Sequence, residues 1–132
     1  VSGGEEIADK LQRGIRAVSL VSQSGLITAF SNDIDPELIF AQQVFAYAQK
    51  KEDVLIALST SGNSKNVVNA AITAKATGIR SIAITGEKDS KLSAVSDVTV
   101  RLPAQTPFEV QELTLPVYHA LCAAIEADMF DK

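Results

Sequence analysis

Ser59-Thr60-Ser61-Gly62-Asn63-Ser64 sets six small polar residues in a row, four of them carrying hydroxyls. Donors of this kind gathered at one turn have the chemistry to grip a phosphate. Their position supports that use. Asp53-Val54-Leu55-Ile56-Ala57-Leu58 stands just before them, an apolar run short enough for a buried strand. Just after them Val67, Val68, Ala71, Ile72 and Ala74 recur at helical spacing. The hexapeptide is therefore predicted to be a strand-to-helix turn. There the first helical N–H groups have no intrahelical partner, and the helix dipole adds partial positive charge. Gly62 lets the backbone come close to a ligand. The run has neither a P-loop lysine nor a GxGxxG pattern. One Ser or Asn alone would be a helix cap; six together favour a phosphate-binding loop.

His119 is the single histidine, and an imidazole can hold or move a proton. On a helix, Gln111, Leu115 and His119 stand in successive four-residue steps spanning about 12 Å of rise. That places a carboxamide and an imidazole along an extended substrate. The residues by themselves favour a core or interface histidine satisfied by a neighbour. Asn32-Asp33 reads as a turn before the Asp35-Pro36 helix start. Lys65 reads as a surface lysine. One histidine and one glutamine do not make a zinc ligand set, and no cofactor is required by these residues. Cys122, the only cysteine, sits among Leu121, Ala123 and Ile125 and is expected to be a buried, inert thiol.

Four strands are expected to alternate with helices. The strands are Ala17–Val21, Val54–Leu58, Ser81–Thr85 and Asp97–Leu102; the helices span about 36–49, 64–77, 89–95 and 107–129. Gly78 should end the second helix, and Pro116 should kink the last unless Gln111–Leu115 form its first turns. Alternation of this kind implies an α/β fold, a three-layer α/β/α sandwich with a mostly parallel sheet. Ligands in such sheets bind at the carboxyl ends of the strands, where the hexapeptide and Thr85-Gly86 both lie.

Size and composition bound the rest. A chain of 132 residues fits one domain. A net charge of −4 supplies no basic field for nucleic acid. No apolar run approaches the roughly 20 residues that span a bilayer, and no signal-peptide pattern opens the chain. A cytoplasmic setting is the expectation.

Four stretches together resemble the sugar isomerase (SIS) domain family, and within it the phosphoheptose isomerases. They are Thr28–Asp33, Asp53–Val67, Ile84-Thr85-Gly86, and Val110-Gln111-Glu112 through Cys122. The resemblance implies a flavodoxin-like or Rossmann-like SIS fold across residues 1–132. It also implies interconversion of sedoheptulose 7-phosphate and D-glycero-D-manno-heptose 7-phosphate. By the same resemblance, Ser59, Thr60, Ser61 and Ser64 would bind phosphate and Asn32 and Asp33 would touch sugar hydroxyls. Gln111 would hold the substrate and His119 would transfer a proton. Some members bind zinc through the equivalents of Gln111 and His119, and members are usually homotetramers. Others act without catalysis, as phosphosugar sensors or as an adaptor for a replication initiator. Two departures accompany the match. Thr114 stands where the family often has a histidine. The chain is expected to lack the family's natural N-terminal helix and a glutamate-bearing helix between Gly4 and Glu5, with Val1-Ser2-Gly3-Gly4 reading as the end of a strand.

Overall fold

The computed structural model describes residues 1–130. Three parallel strands form its sheet: β1 (Val54–Leu58), β2 (Arg80–Thr85) and β3 (Val98–Arg101), in the order β1-β2-β3. Ile56 pairs with Ile82, and Ile82 with Val98. Six helices accompany them: α1 (Gly4–Lys10), α2 (Ser24–Asp33), α3 (Ile39–Tyr47), α4 (Lys65–Thr77), α5 (Lys91–Val95) and α6 (Pro107–Phe130).

Side-chain alternation along the strands builds the layers. Ala57 and Ala83 face α4 and α5, where they pack with Val68, Ala71 and Leu92. The neighbouring cluster of Val44, Ala70, Ala74 and Ile79 joins α3 to α4. On the opposite face Ile84 packs with Leu102, Ala104 and Val110, and Val100, Val117 and Leu121 lie against them. Helices α3, α4 and α5 thus lie on one face of a parallel sheet, while α6 covers the other around Ile84 and leaves Ile56 and Leu58 about half exposed. Alanines at the α4 contacts allow that helix to lie close to the strands.

Local signals explain the boundaries. Gly78 takes φ 79° at the end of α4, where its N–H and that of Ile79 return to Lys75 O and Ala74 O. Asp35 caps the Pro36–Leu38 turn by accepting from Glu37 N at 2.7 Å. The helix expected over 36–49 is thus a short 3₁₀ turn followed by α3.

Ala17–Val21 is not a strand. The segment is irregular up to a 3₁₀ turn at Leu20–Ser22 and pairs with none of the sheet strands. Its backbone is anchored instead by the buried Gln43 amide, which donates to Leu20 O at 3.0 Å. A β-prone run without a neighbouring edge has no ladder to join. The chain start also differs from expectation. Val1-Ser2-Gly3-Gly4 is a turn with Gly3 at φ 80° that opens α1, not a strand end. Pro116 lies well inside α6, and the helix continues through it to Phe130.

Candidate functional site

β1 ends at Leu58, and Ser59 is still held on the sheet by its N–H to Ile84 O at 3.1 Å. The chain then turns sharply before α4 begins at Lys65. Gly62 is the pivot, at φ 64°, a region that side chains disfavour. Its N–H donates to both the carbonyl and the hydroxyl of Ser59, at 3.0 and 3.1 Å. Ser59 Oγ donates to Ser64 Oγ at 3.2 Å, closing the turn from below. Ser59 is buried, whereas Ser61 and Ser64 are exposed at the rim.

Ser64 occupies the N-cap position of α4, yet its side chain makes no capping hydrogen bond. Among the described residues, the N–H groups of Ser61, Ser64, Lys65 and Asn66 also have no protein acceptor. A loop built only to cap a helix would have used these groups on itself. Instead, backbone donors and the Thr60, Ser61 and Ser64 hydroxyls remain available beside the positive end of the α4 dipole. The arrangement can hold a dianionic oxygen cluster without a cation. Lys65 is not that cation, because its Nζ pairs with Glu37 Oε1 at 2.9 Å. The hydrogen bond it donates to Glu37 and the Glu37 charge hold the Lys65 ammonium above its ordinary pKa.

The neighbouring strand end supports the loop. Gly86 N donates to Thr60 O at 3.1 Å. A side chain at Gly86 would meet Ala104 O at 2.9 Å, Thr60 O at 3.0 Å and Val110 Cγ2 at 3.2 Å. Gly86 is therefore the point where the loop, β2 and the start of α6 converge. Through it, Val110 and the adjacent Gln111 are brought to the loop's side of the sheet.

His119 lies eight residues beyond Gln111 on α6, so about 12 Å farther along the helix axis. Both residues are exposed, and the Tyr118 and His119 rings meet edge to face at 4.7 Å. Asn32 and Asp33 close the last turn of α2 rather than forming a free turn, with Asn32 Nδ2 donating to Asp33 Oδ1 at 2.8 Å. That end of α2 is fastened toward α4. Asp35 N returns to Phe30 O, and Glu37, next to the Asp35 cap, grips Lys65 and accepts from Asn69 Nδ2.

The structure thus brings Ser59, Thr60, Ser61 and Ser64 into one turn. Among the described residues, no hydrogen bond joins Asn32, Asp33, Gln111 or His119 to that turn. Thr114 Oγ1 donates to Val110 O at 2.7 Å and is occupied by its own helix. Cys122 is exposed, not buried, because only the stripe Val110–Thr114–Val117–Leu121 of α6 lies on the sheet. No three His, Cys, Asp or Glu side chains among the described residues could together hold a metal ion. Gln111 and His119 supply at most two of the four ligands zinc takes. The residues present do not fit a zinc centre, and no chemistry is routed through one.

Sequence reasoning placed Gly86 at a ligand-binding strand end but missed Ser90 as a part of the site. Ser90 caps α5 in a reciprocal capping box with Ser93, and its hydroxyl lies against Gly62. The Ser-x-x-Ser spacing is the signal that could have found it, although Glu or Gln is the usual fourth residue.

The SIS domain model matches residues 17–125. A phosphoheptose isomerase of Helicobacter pylori is 41% identical over 124 residues, which cover 93% of this chain and 64% of that protein. A probable phosphoheptose isomerase of Thermoplasma acidophilum is 37% identical over 117 residues, covering 89% and 64%. Among solved structures, phosphoheptose isomerase GmhA from Neisseria gonorrhoeae superposes with a TM-score of 0.80 at 34% identity, over 84% of this chain and 61% of that one. The chain therefore spans somewhat under two thirds of the length of these relatives. With a match across most of its length and the family's layered sheet beneath it, the chain belongs to the SIS domain family.

Proposed function

We propose that the chain is the phosphosugar-binding part of an aldose–ketose isomerase acting between sedoheptulose 7-phosphate and D-glycero-D-manno-heptose 7-phosphate. The observation that carries this reading is the uncapped α4 N-terminus, framed by the Thr60, Ser61 and Ser64 hydroxyls. A sugar phosphate seated there would extend its carbon chain past the start of α6. The names of the relatives supply the sugar.

Isomerisation moves one proton between C1 and C2 through an enediol, while the oxygens of those carbons exchange carbonyl and hydroxyl character. The step needs a base for the carbon proton and an acid for the oxygen. His119 is assigned a proton-transfer role, since an imidazole can both accept and donate a proton. Gln111 is assigned to hold sugar oxygens, and Asn32 and Asp33 to contact hydroxyls. The loop's grip on the phosphate fixes the reacting carbons in place.

The functional unit is assigned as a homotetramer. Leu115, Tyr118, Ile125 and Met129 form an exposed apolar stripe on α6 with alternating three-, four- and seven-residue spacing. Such a stripe suits a second helix of the same kind. No helix among the described residues is long and apolar enough to cross a membrane, and a phosphorylated metabolite fits a cytoplasmic enzyme.

Incubation with sedoheptulose 7-phosphate, alongside His119→Ala, tests this function. Formation of the aldoheptose 7-phosphate that falls by roughly 10²-fold or more in the variant supports it. Phosphosugar binding without turnover would place the chain with the non-catalytic SIS sensors instead.

A further inference from the structure

Asn63 bonds within the protein through both ends of its side chain. Its Nδ2 donates to Ser61 O at 3.0 Å, and its Oδ1 accepts from Lys91 N at 3.1 Å. Its own N–H donates to Ser61 Oγ at 3.2 Å. Leu92 N donates in parallel to Gly62 O at 2.9 Å. Lys91 and Leu92 are the first two residues of α5, whose leading N–H groups would otherwise lack partners. The loop therefore caps α5, and α5 in return fixes the loop. Ser90 completes the joint by filling the space beside Gly62.

We propose that Asn63 is a positioning residue for the phosphate-binding loop: it spans Ser61 and Lys91 so that the rim donors stay convergent, without touching phosphate itself. The inference rests on the reading of the loop as a phosphate site. Its physical basis is that both ends of one carboxamide are used within the protein. A carboxamide so committed is held in one orientation along the backbone, with one N–H and one lone pair remaining, so positioning is separated from direct contact by the exchange of the Lys91 amide. Losing it removes one of the two ties between the Ser61–Asn63 segment and α5, leaving the Leu92 N to Gly62 O bond and every rim hydroxyl in the sequence.

The test uses this chain, inorganic phosphate as the probe, and amide hydrogen exchange read by NMR. Asn63→Ala should speed exchange of the Lys91 amide in the phosphate-free protein and weaken phosphate binding about three- to tenfold. Asn63→Asp keeps an acceptor, so it should keep Lys91 protected while losing phosphate through the missing Nδ2 donor and the added charge. A merely structural role would lower the melting temperature of Asn63→Ala without changing phosphate affinity at temperatures where it is folded, and would overturn the proposal. Weakened binding with Lys91 exchange unchanged would make Asn63 a direct ligand and also overturn it. If the unsubstituted protein binds no phosphate, the reading of the loop fails and the proposal fails with it.

Discussion

Ser90 Oγ occupies the space that a side chain on Gly62 would need: a Cβ built on Gly62 would stand 2.1 Å from that oxygen and 2.5 Å from Ser90 Cβ. Ser90 cannot easily retreat, because the same hydroxyl accepts from Ser93 N to cap α5. The turn is thus constrained twice, by a left-handed backbone and by a neighbour with a task of its own.

Gly62→Ala should consequently cost about 2 kcal/mol or more, from the left-handed penalty of roughly 1–2 kcal/mol plus the displaced cap. Urea denaturation gives the stability. Phosphate titration should show a larger loss than the stability change alone explains, because the rim donors are moved.

Leu92 is fully buried against Ala57, Val68, Ala71 and Ala83, and its N–H holds Gly62 O. Leu92→Ala should destabilise the fold by about 2–5 kcal/mol. The backbone hydrogen bond survives the substitution, so phosphate affinity of the folded fraction should fall much less than in Gly62→Ala.

Much of this region was legible in the residues. The strand Val54–Leu58, the helix 64–77 with its glycine stop, and the turn between them are where predicted, because each has a strong local cause. Ala17–Val21 failed for a non-local reason. Its composition suits a strand, yet a strand exists only with a partner, and Gln43 holds Leu20 elsewhere. Asn32-Asp33 misled in the opposite direction, since two turn-prone residues close α2 and are satisfied by each other. Cys122 was judged from its apolar neighbours, but one face of α6 meets the sheet and the thiol lies off that face. The double use of Asn63 was invisible, because its partner Lys91 lies 28 residues away.

Asp53 accepts from Lys50 N and Gln49 N at 3.0 and 3.1 Å, and Arg16 lies at 3.3 Å from its other oxygen. The Lys50 hydrogen bond, reinforced by the Gln49 bond and the Arg16 charge against some desolvation, holds its carboxyl below the ordinary 3.8. A depressed carboxyl adds stability that is present above the unfolded value and is lost as pH falls through the folded one. Asp53→Asn should therefore flatten the stability profile on the acid side of about pH 4. Denaturation midpoints from pH 7 down to 2.5 would show it, and an unchanged acid slope would count against the assignment.

Ile125 is 43% exposed in the middle of the apolar stripe of α6. If that stripe seats a second copy, Ile125→Asp should weaken self-association by roughly tenfold or more, since a buried unpaired charge is costly. Sedimentation velocity should then report smaller species with an unchanged circular dichroism spectrum.

The central claim is that the turn from Ser59 to Ser64 and the start of α4 bind a sugar phosphate. Titration of sedoheptulose 7-phosphate into isotopically labelled protein, followed by amide NMR, tests it most directly. The account predicts saturable shifts concentrated at Thr60, Ser61, Ser64, Lys65 and Asn66, with inorganic phosphate competing for the same amides. Saturable shifts centred elsewhere, or none at millimolar sugar phosphate in a folded protein, would contradict it.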